Sequence, residues 1–131
     1  MKVLALDYGS ARTGVAVSDP SGTIARPLAV IERVGSDRGM SELRALLVAE
    51  EPALIVVGMP LTLRGERGKQ ALETEQFVQR LRAAQRVPVE TFDERLTTVL
   101  AARTPSATSE DARAAAHLLE SYLTWMTNRE S

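Results

Sequence analysis

The chain has 131 residues, a formal net charge of −1 and 44% hydrophobic residues; this suits one domain with a full core and is too short for two lobes with a cleft between them. With no cysteine and a single histidine, disulfides, thiolate chemistry and sulfur-ligated zinc are excluded, and a His-rich metal site or a Ser-His-Asp triad is hard to build. Chemistry must come from carboxylates, hydroxyls, arginines and a hard metal, and the near-zero charge speaks against a nucleic-acid binder that works through bulk positive charge while leaving room for a local basic patch.

The chain opens on Lys2 to Leu6, an apolar run that reads as a buried strand and ends in Asp7. No stretch approaches the roughly 20 apolar residues that span a bilayer. The first six residues carry one lysine and no cleavage signal, so a cytoplasmic protein without a membrane segment is expected. Gly9 and Gly14 mark a turn, and Gly14 to Ser18 reads as the return strand. Asp19-Pro20-Ser21-Gly22 places Pro and Gly for a reverse turn, which predicts a third antiparallel strand over Thr23 to Leu28.

Ser36 or Asp37 can cap a helix through Glu50 with Met40, Leu43, Leu46 and Leu47 at helical spacing, ended by Glu51-Pro52. Ala53 to Met59 is a continuous apolar strand, and Pro60 to Gly68 is a loop holding Arg64 and Arg67. A second helix is predicted from Lys69 to about Arg86, with Leu72, Phe77, Val78 and Leu81 inward, then a fifth strand over Val87 to Phe92. A short helical piece near Leu96 to Arg103 and a turn over Thr104 to Thr108 precede a last helix, capped by Thr108 or Ser109 and reaching about Thr127. The order predicts a five-stranded mixed α/β sheet, three antiparallel strands followed by parallel ones, flanked by helices in one domain over residues 1–131.

Asp7 ends the first strand, Asp93 and Glu94 follow the fifth, and Asp111 falls in the first turn of the last helix. Acids gathered at strand ends and helix starts repel one another and are stable when cations fill the cluster. Oxygen ligands then imply Mg²⁺ or Mn²⁺, and two such ions about 4 Å apart can hydrolyse a phosphodiester without a protein nucleophile. Each acid also has a plainer use: Asp7 as a turn former before Gly9, Asp93 and Glu94 as a helix start, Asp111 as a complement to the helix dipole. Asp111 shares a face with Ala115, Leu118 and Tyr122, whereas Arg113, His117, Glu120 and Thr124 form a polar stripe, which makes His117 a solvated residue. Trp125 reads as a packing residue, and Gly65 to Lys69 lacks the spacing of a phosphate-binding loop.

Asp7-Tyr8-Gly9 with Arg12 and Gly14, then Val57-Gly58-Met59-Pro60-Leu61, then Asp93-Glu94-Arg95-Leu96-Thr97-Thr98, then Asp111 with Ala114-Ala115 and Leu119 to Leu123 together resemble the YqgF/RuvX family. That family is described as Holliday junction resolvases or nucleases of precursor small-subunit ribosomal RNA, with an RNase H-like fold. The match runs in order through nearly the whole chain. It implies Asp7, Glu94 and Asp111 as catalytic, metal-binding acids for Mg²⁺ or Mn²⁺, with Asp93 as a helper. It also implies Arg12 and Arg95 as holders of the scissile phosphate or braces for the acids, and the Gly58 to Gly68 loop beside the substrate.

Unlike the family pattern, the segment Thr104 to Glu110 is short and carries no positive charge, which should weaken binding unless Arg12, Arg64, Arg67, Arg95 and Lys69 line one face. The expected activity is metal-dependent hydrolysis of structured RNA or branched DNA, leaving a 5′-phosphate as the resemblance implies. In that reading the turn glycines leave room for a phosphate backbone. A non-catalytic RNase H-like binding module is the alternative; an actin-like or sugar-kinase ATPase is disfavoured by length. Symmetric cutting of a junction would need a homodimer, for which the sequence shows no signature.

Overall fold

The computed structural model describes residues 1–61, 68–96 and 110–130. Strands β1 (Val3–Asp7), β2 (Arg12–Ser18) and β3 (Ala25–Glu32) are followed by helix α1 (Asp37–Glu50), strand β4 (Leu54–Met59), helix α2 (Lys69–Ala84), strand β5 (Val89–Asp93), a 3₁₀ turn over Glu94–Leu96 and helix α3 (Glu110–Glu130). The five strands form one sheet in the order β3-β2-β1-β4-β5. β1 and β2, and β2 and β3, pair antiparallel, whereas β1, β4 and β5 run parallel. The predicted mixed sheet is the observed one. The helical piece predicted to run on to Arg103, the turn at 104–108 and the helix cap at 108 or 109 lie outside the described residues, apart from the 3₁₀ turn.

Boundaries differ where side chains intervene. The third strand starts at Ala25, two residues later than expected, because the Asp19 carboxylate accepts hydrogen bonds from the amides of Thr23 and Ile24 at 2.8 Å and keeps them in the turn. It then runs on to Glu32, with Pro27 tolerated because β3 is an edge strand with a bulge opposite Val15/Ala16. Ser36 caps α1 by accepting from the Gly39 amide at 3.0 Å, and Glu51 in the left-handed conformation ends it before Pro52. Leu72, expected inward, is 53% exposed. The buried stripe of α2 is Ala71, Thr74, Phe77, Val78 and Leu81, and Leu72 lies about 160° from the centre of that stripe.

The pleat of β1 divides the core. Leu4 and Leu6 face one side with Leu43 and Leu47 of α1 and Phe77, Val78 and Leu81 of α2. Val3 and Ala5 face the other with Ala115, Ala116, Leu118, Leu119 and Tyr122 of α3. Strand periodicity places Asp7 on the α3 side with Val3 and Ala5. Because β1 is central, with β2 on one flank and β4 on the other, all four of its apolar residues are fully buried.

Candidate active site at the ends of β1 and β5

The same alternation sorts the acids of β5. Glu90 and Phe92 belong to the α3 side, where Tyr122 donates to Glu90 at 2.8 Å and meets Phe92 edge-on; Thr91 and Asp93 face the α2 side. Trp125 packs against Phe92 as expected, with centroids 5.7 Å apart. Glu94, one residue beyond the strand, returns to the α3 side, where its side chain lies over Gly58 of β4.

Two glycines make the convergence of acids geometrically available. Gly14 is the register partner of Asp7 on β2, and a methyl group there would overlap the Asp111 carbonyl, so the first turn of α3 rests directly on the sheet beside Asp7. A methyl at Gly58 would stand 2.7 Å from Glu94 Oε1, so its absence lets that side chain reach across β4 toward Asp7. The expectation that turn glycines leave space for an incoming phosphate is therefore corrected at Gly14: the space is filled by the chain's own helix. Gly9 likewise packs on the Arg12 carbonyl. Its amide and carbonyl are held by the hydroxyl of buried Thr13, at 3.3 and 3.2 Å.

Glu94 is pushed up to about 7, first by burial, then by the charge of Asp7, its hydrogen bond to Asp7 and the charge of Asp93. Asp7 is also raised, by burial first and by the charge of Asp111, against the lowering effect of the hydrogen bond from Glu94. Of the two, Glu94 is the one pushed furthest toward its protonated form, and its hydrogen bond to Asp7 favours the Asp7 carboxylate. A hydrogen-bonded acid pair of this kind, all oxygen and placed beside a third carboxylate, fits a hard divalent cation that would take the place of the proton. Among the described residues, no three His, Cys, Asp or Glu side chains are gathered closely enough to hold one ion. The third acid is engaged elsewhere: Asp111 Oδ2 is 3.3 Å from Arg12 Nε.

Arg95 is clamped on Asp93, with its backbone amide 2.9 Å from Oδ1 and Nη2 2.5 Å from Oδ2. That contact holds the Asp93 carboxyl below the usual range, and the charge stays on the α2 side. Arg64 and Arg67 lie outside the described residues. His117 departs from the expected solvated position: both ring nitrogens are buried without a hydrogen-bond partner among the described residues, beside a cavity of about 130 Å³ that it lines with Glu110, Arg113 and Ala114.

Asp7 and Glu94 open into a cleft of about 230 Å³ lined also by Tyr8, Ser10, Pro60, Gln70, Glu73 and Thr74. The last three come from the start of α2 and were not legible as site residues, because helical spacing marks only the buried stripe. Tyr8 could have been found from its place beside Asp7; its ring stacks on Phe77 at 4.8 Å. A larger groove of about 870 Å³ runs along α2 and β5, but it contains none of Asp7, Glu94 and Asp111.

Comparison with known proteins agrees with this architecture. A protein of Chloroflexus aurantiacus named as a candidate pre-16S rRNA nuclease is 46% identical over 99 residues, covering 76% of this chain. The chain spans 65% of that relative's length. A Syntrophomonas wolfei protein of the same name is 36% identical over 132 residues, with 94% of each chain covered. In structure, RuvC of Thermus thermophilus in complex with a Holliday junction substrate superposes with a TM-score of 0.65 at 18% identity, covering 98% of this chain and 96% of RuvC. At that identity the likeness establishes the fold, which is RNase H-like. Residues 1–125 match the family described as RuvX: Holliday junction resolvase, and the chain belongs to that family.

Proposed function

We propose that this chain is a metal-dependent nuclease that hydrolyses phosphodiester bonds in structured nucleic acid, acting in the cytoplasm through one RNase H-like domain. The names of its relatives favour maturation of the 5′ end of pre-16S rRNA during ribosome biogenesis; the family description favours branched DNA, whose symmetric cutting requires a homodimer with two sites. Among the described residues no helix is long and apolar enough to cross a membrane.

The observation that carries this reading is the meeting of Asp7 and Glu94, hydrogen-bonded to each other at the ends of two parallel strands, with Asp111 beside them. These three residues would hold Mg²⁺ or Mn²⁺. Such ions supply an activated water and charge stabilisation at the reacting phosphate. The protein's own part is positional. β1 and β5 fix two carboxylates on a rigid sheet, α3 fixes the third, and the open cleft admits a strand from the side of Tyr8 and α2. Arg12 places a guanidinium at the rim, of the kind that recognises phosphate oxygens.

The test is a cleavage panel of pre-16S rRNA 5′ fragments, four-way junctions and single strands with Mg²⁺ or Mn²⁺. Asp7→Asn should lower cleavage by at least about 10²–10³-fold, as loss of a charge-stabilising group does, while leaving the fold intact. Equal cutting by this variant, or cutting in excess chelator, removes the proposal. The second reading, a module that binds without cutting, draws on the pairing of Asp111 with Arg12; a stable complex with no product in Mn²⁺ would establish it.

A further inference from the structure

We propose that Arg12 is an exchangeable counter-ion for Asp111: it holds that carboxylate while the site is empty and gives it up to an incoming divalent cation, which leaves the guanidinium free at the rim of the cleft. This inference rests on the metal-site reading above. It assigns to Arg12 a task that opposes cation binding, where a structural brace would assist it.

Three observations carry it. First, among the described residues Asp111 is ion-paired, to Arg12, whereas Asp7 and Glu94 form no ion pair and lie against each other. Second, the backbones on both sides are fixed. Thr13, next to Arg12, is fully buried and bonded to Gly9, and the first turn of α3 sits against Gly14 with no room for a methyl group. The separation of the two acidic elements therefore cannot adjust freely, and Asp111 can change partners only by rotating its side chain.

Third, the contact itself is of a kind that exchanges. The Arg12 side chain is 65% exposed and that of Asp111 43% exposed. They meet through Nε at 3.3 Å, and among the described residues Asp111 is the only ion-pair partner of Arg12. A bracing arginine in a carboxylate site is ordinarily buried and held in bidentate fashion by several acceptors. An exposed pair with one acceptor is worth little in water and is screened by salt, so a divalent cation coordinated by Asp7 and Glu94 can outcompete it for Asp111.

The experiment is a Mn²⁺ titration of the full chain without nucleic acid, at low ionic strength and pH 8, read from the loss of the free-ion electron paramagnetic resonance signal. Arg12→Gln and Arg12→Ala should each bind Mn²⁺ about 2–5-fold more tightly than the unmodified chain, the span expected when one exposed ion pair no longer competes. That gap should narrow as salt is added. Equal or weaker binding by both variants overturns the exchange role and makes Arg12 a brace. Asp7→Asn separates the two layers of the argument. If it binds Mn²⁺ as the unmodified chain does, the metal site itself is wrong; if it loses binding while the Arg12 variants gain nothing, only the exchange role fails. No binding by any of these folded proteins overturns both.

Discussion

The two faces of the sheet are built from different materials. The face under α1 and α2 is filled with Leu4, Leu6, Ile31, Leu43, Ile55, Phe77 and Leu81, large side chains that hold the helices off the sheet. The face under α3 mixes Val3, Ala5, Ala16, Ala115 and Ala116 with Leu54, Phe92, Leu118, Leu119 and Tyr122, and has Gly14 and Gly58 at its upper end. Large residues give a face its burial energy; small ones let a helix approach until its backbone touches the strand. The candidate site lies at the end of the face under α3, because carboxylates have short side chains and three separate elements must bring theirs together. Both faces stabilise the fold by burial, and the face under α3 also sets distances.

The strongest way to break this division is from the face under α1 and α2. Leu43→Ala removes a fully buried side chain of α1 and should destabilise the chain by about 2–5 kcal/mol, measured by urea unfolding, with cleavage per folded molecule unchanged at low temperature. Loss of the site with little loss of stability would show that the faces are not separable.

On the other face, Gly14→Ala should cost about 1–3 kcal/mol, the range for an added methyl in a packed position, because the new carbon meets the Asp111 backbone. Its larger consequence is on chemistry. α3 must shift away from Asp7, and both cleavage and Mn²⁺ binding should fall much further than the small stability loss would explain. An alanine variant with full cleavage would mean that the close helix approach does not position the site.

A smaller effect tests the acid pair itself. Both Asp7 and Glu94 have folded-state values raised above their ordinary ones. Their contribution to stability is therefore complete below about pH 4, where the unfolded groups are still protonated, and is lost as pH rises through the value of about 7 for Glu94. Glu94→Gln keeps a donor for Asp7 and removes the ionisation. The variant should melt about 2–4 °C higher than the unmodified chain at pH 8, the pair's partial exposure keeping the gain small, and the difference should vanish near pH 4. A gain that is largest in acid would show that the proton is not shared in the folded state.

Much of this was readable in the residues because it is local. An apolar run ending in Asp7 and caps at Ser36 and Glu51 are fixed by interactions within a few residues. The errors also have local causes. The Asp19 side chain holds Thr23 and Ile24 in the turn, and a spacing count that included Leu72 overlooked Ala71 and Thr74, small residues that bury as well as leucine when a helix lies close.

By itself the sequence determined which side chains alternate on each strand, which stripe each helix presents, and that its chemistry is carboxylate and arginine chemistry. Strand and helix periods, and the inventory of functional groups, follow from the chain alone. Only the tertiary structure decided which charges meet. The register of β1 against β2 sets Asp7 opposite Gly14, and the empty space at that glycine seats α3 on the sheet. Asp111 is thereby delivered to Arg12, 99 positions away in sequence, at 3.3 Å. Electrostatic partners are chosen by distance in space, and distance between elements is set by the side chains packed between them.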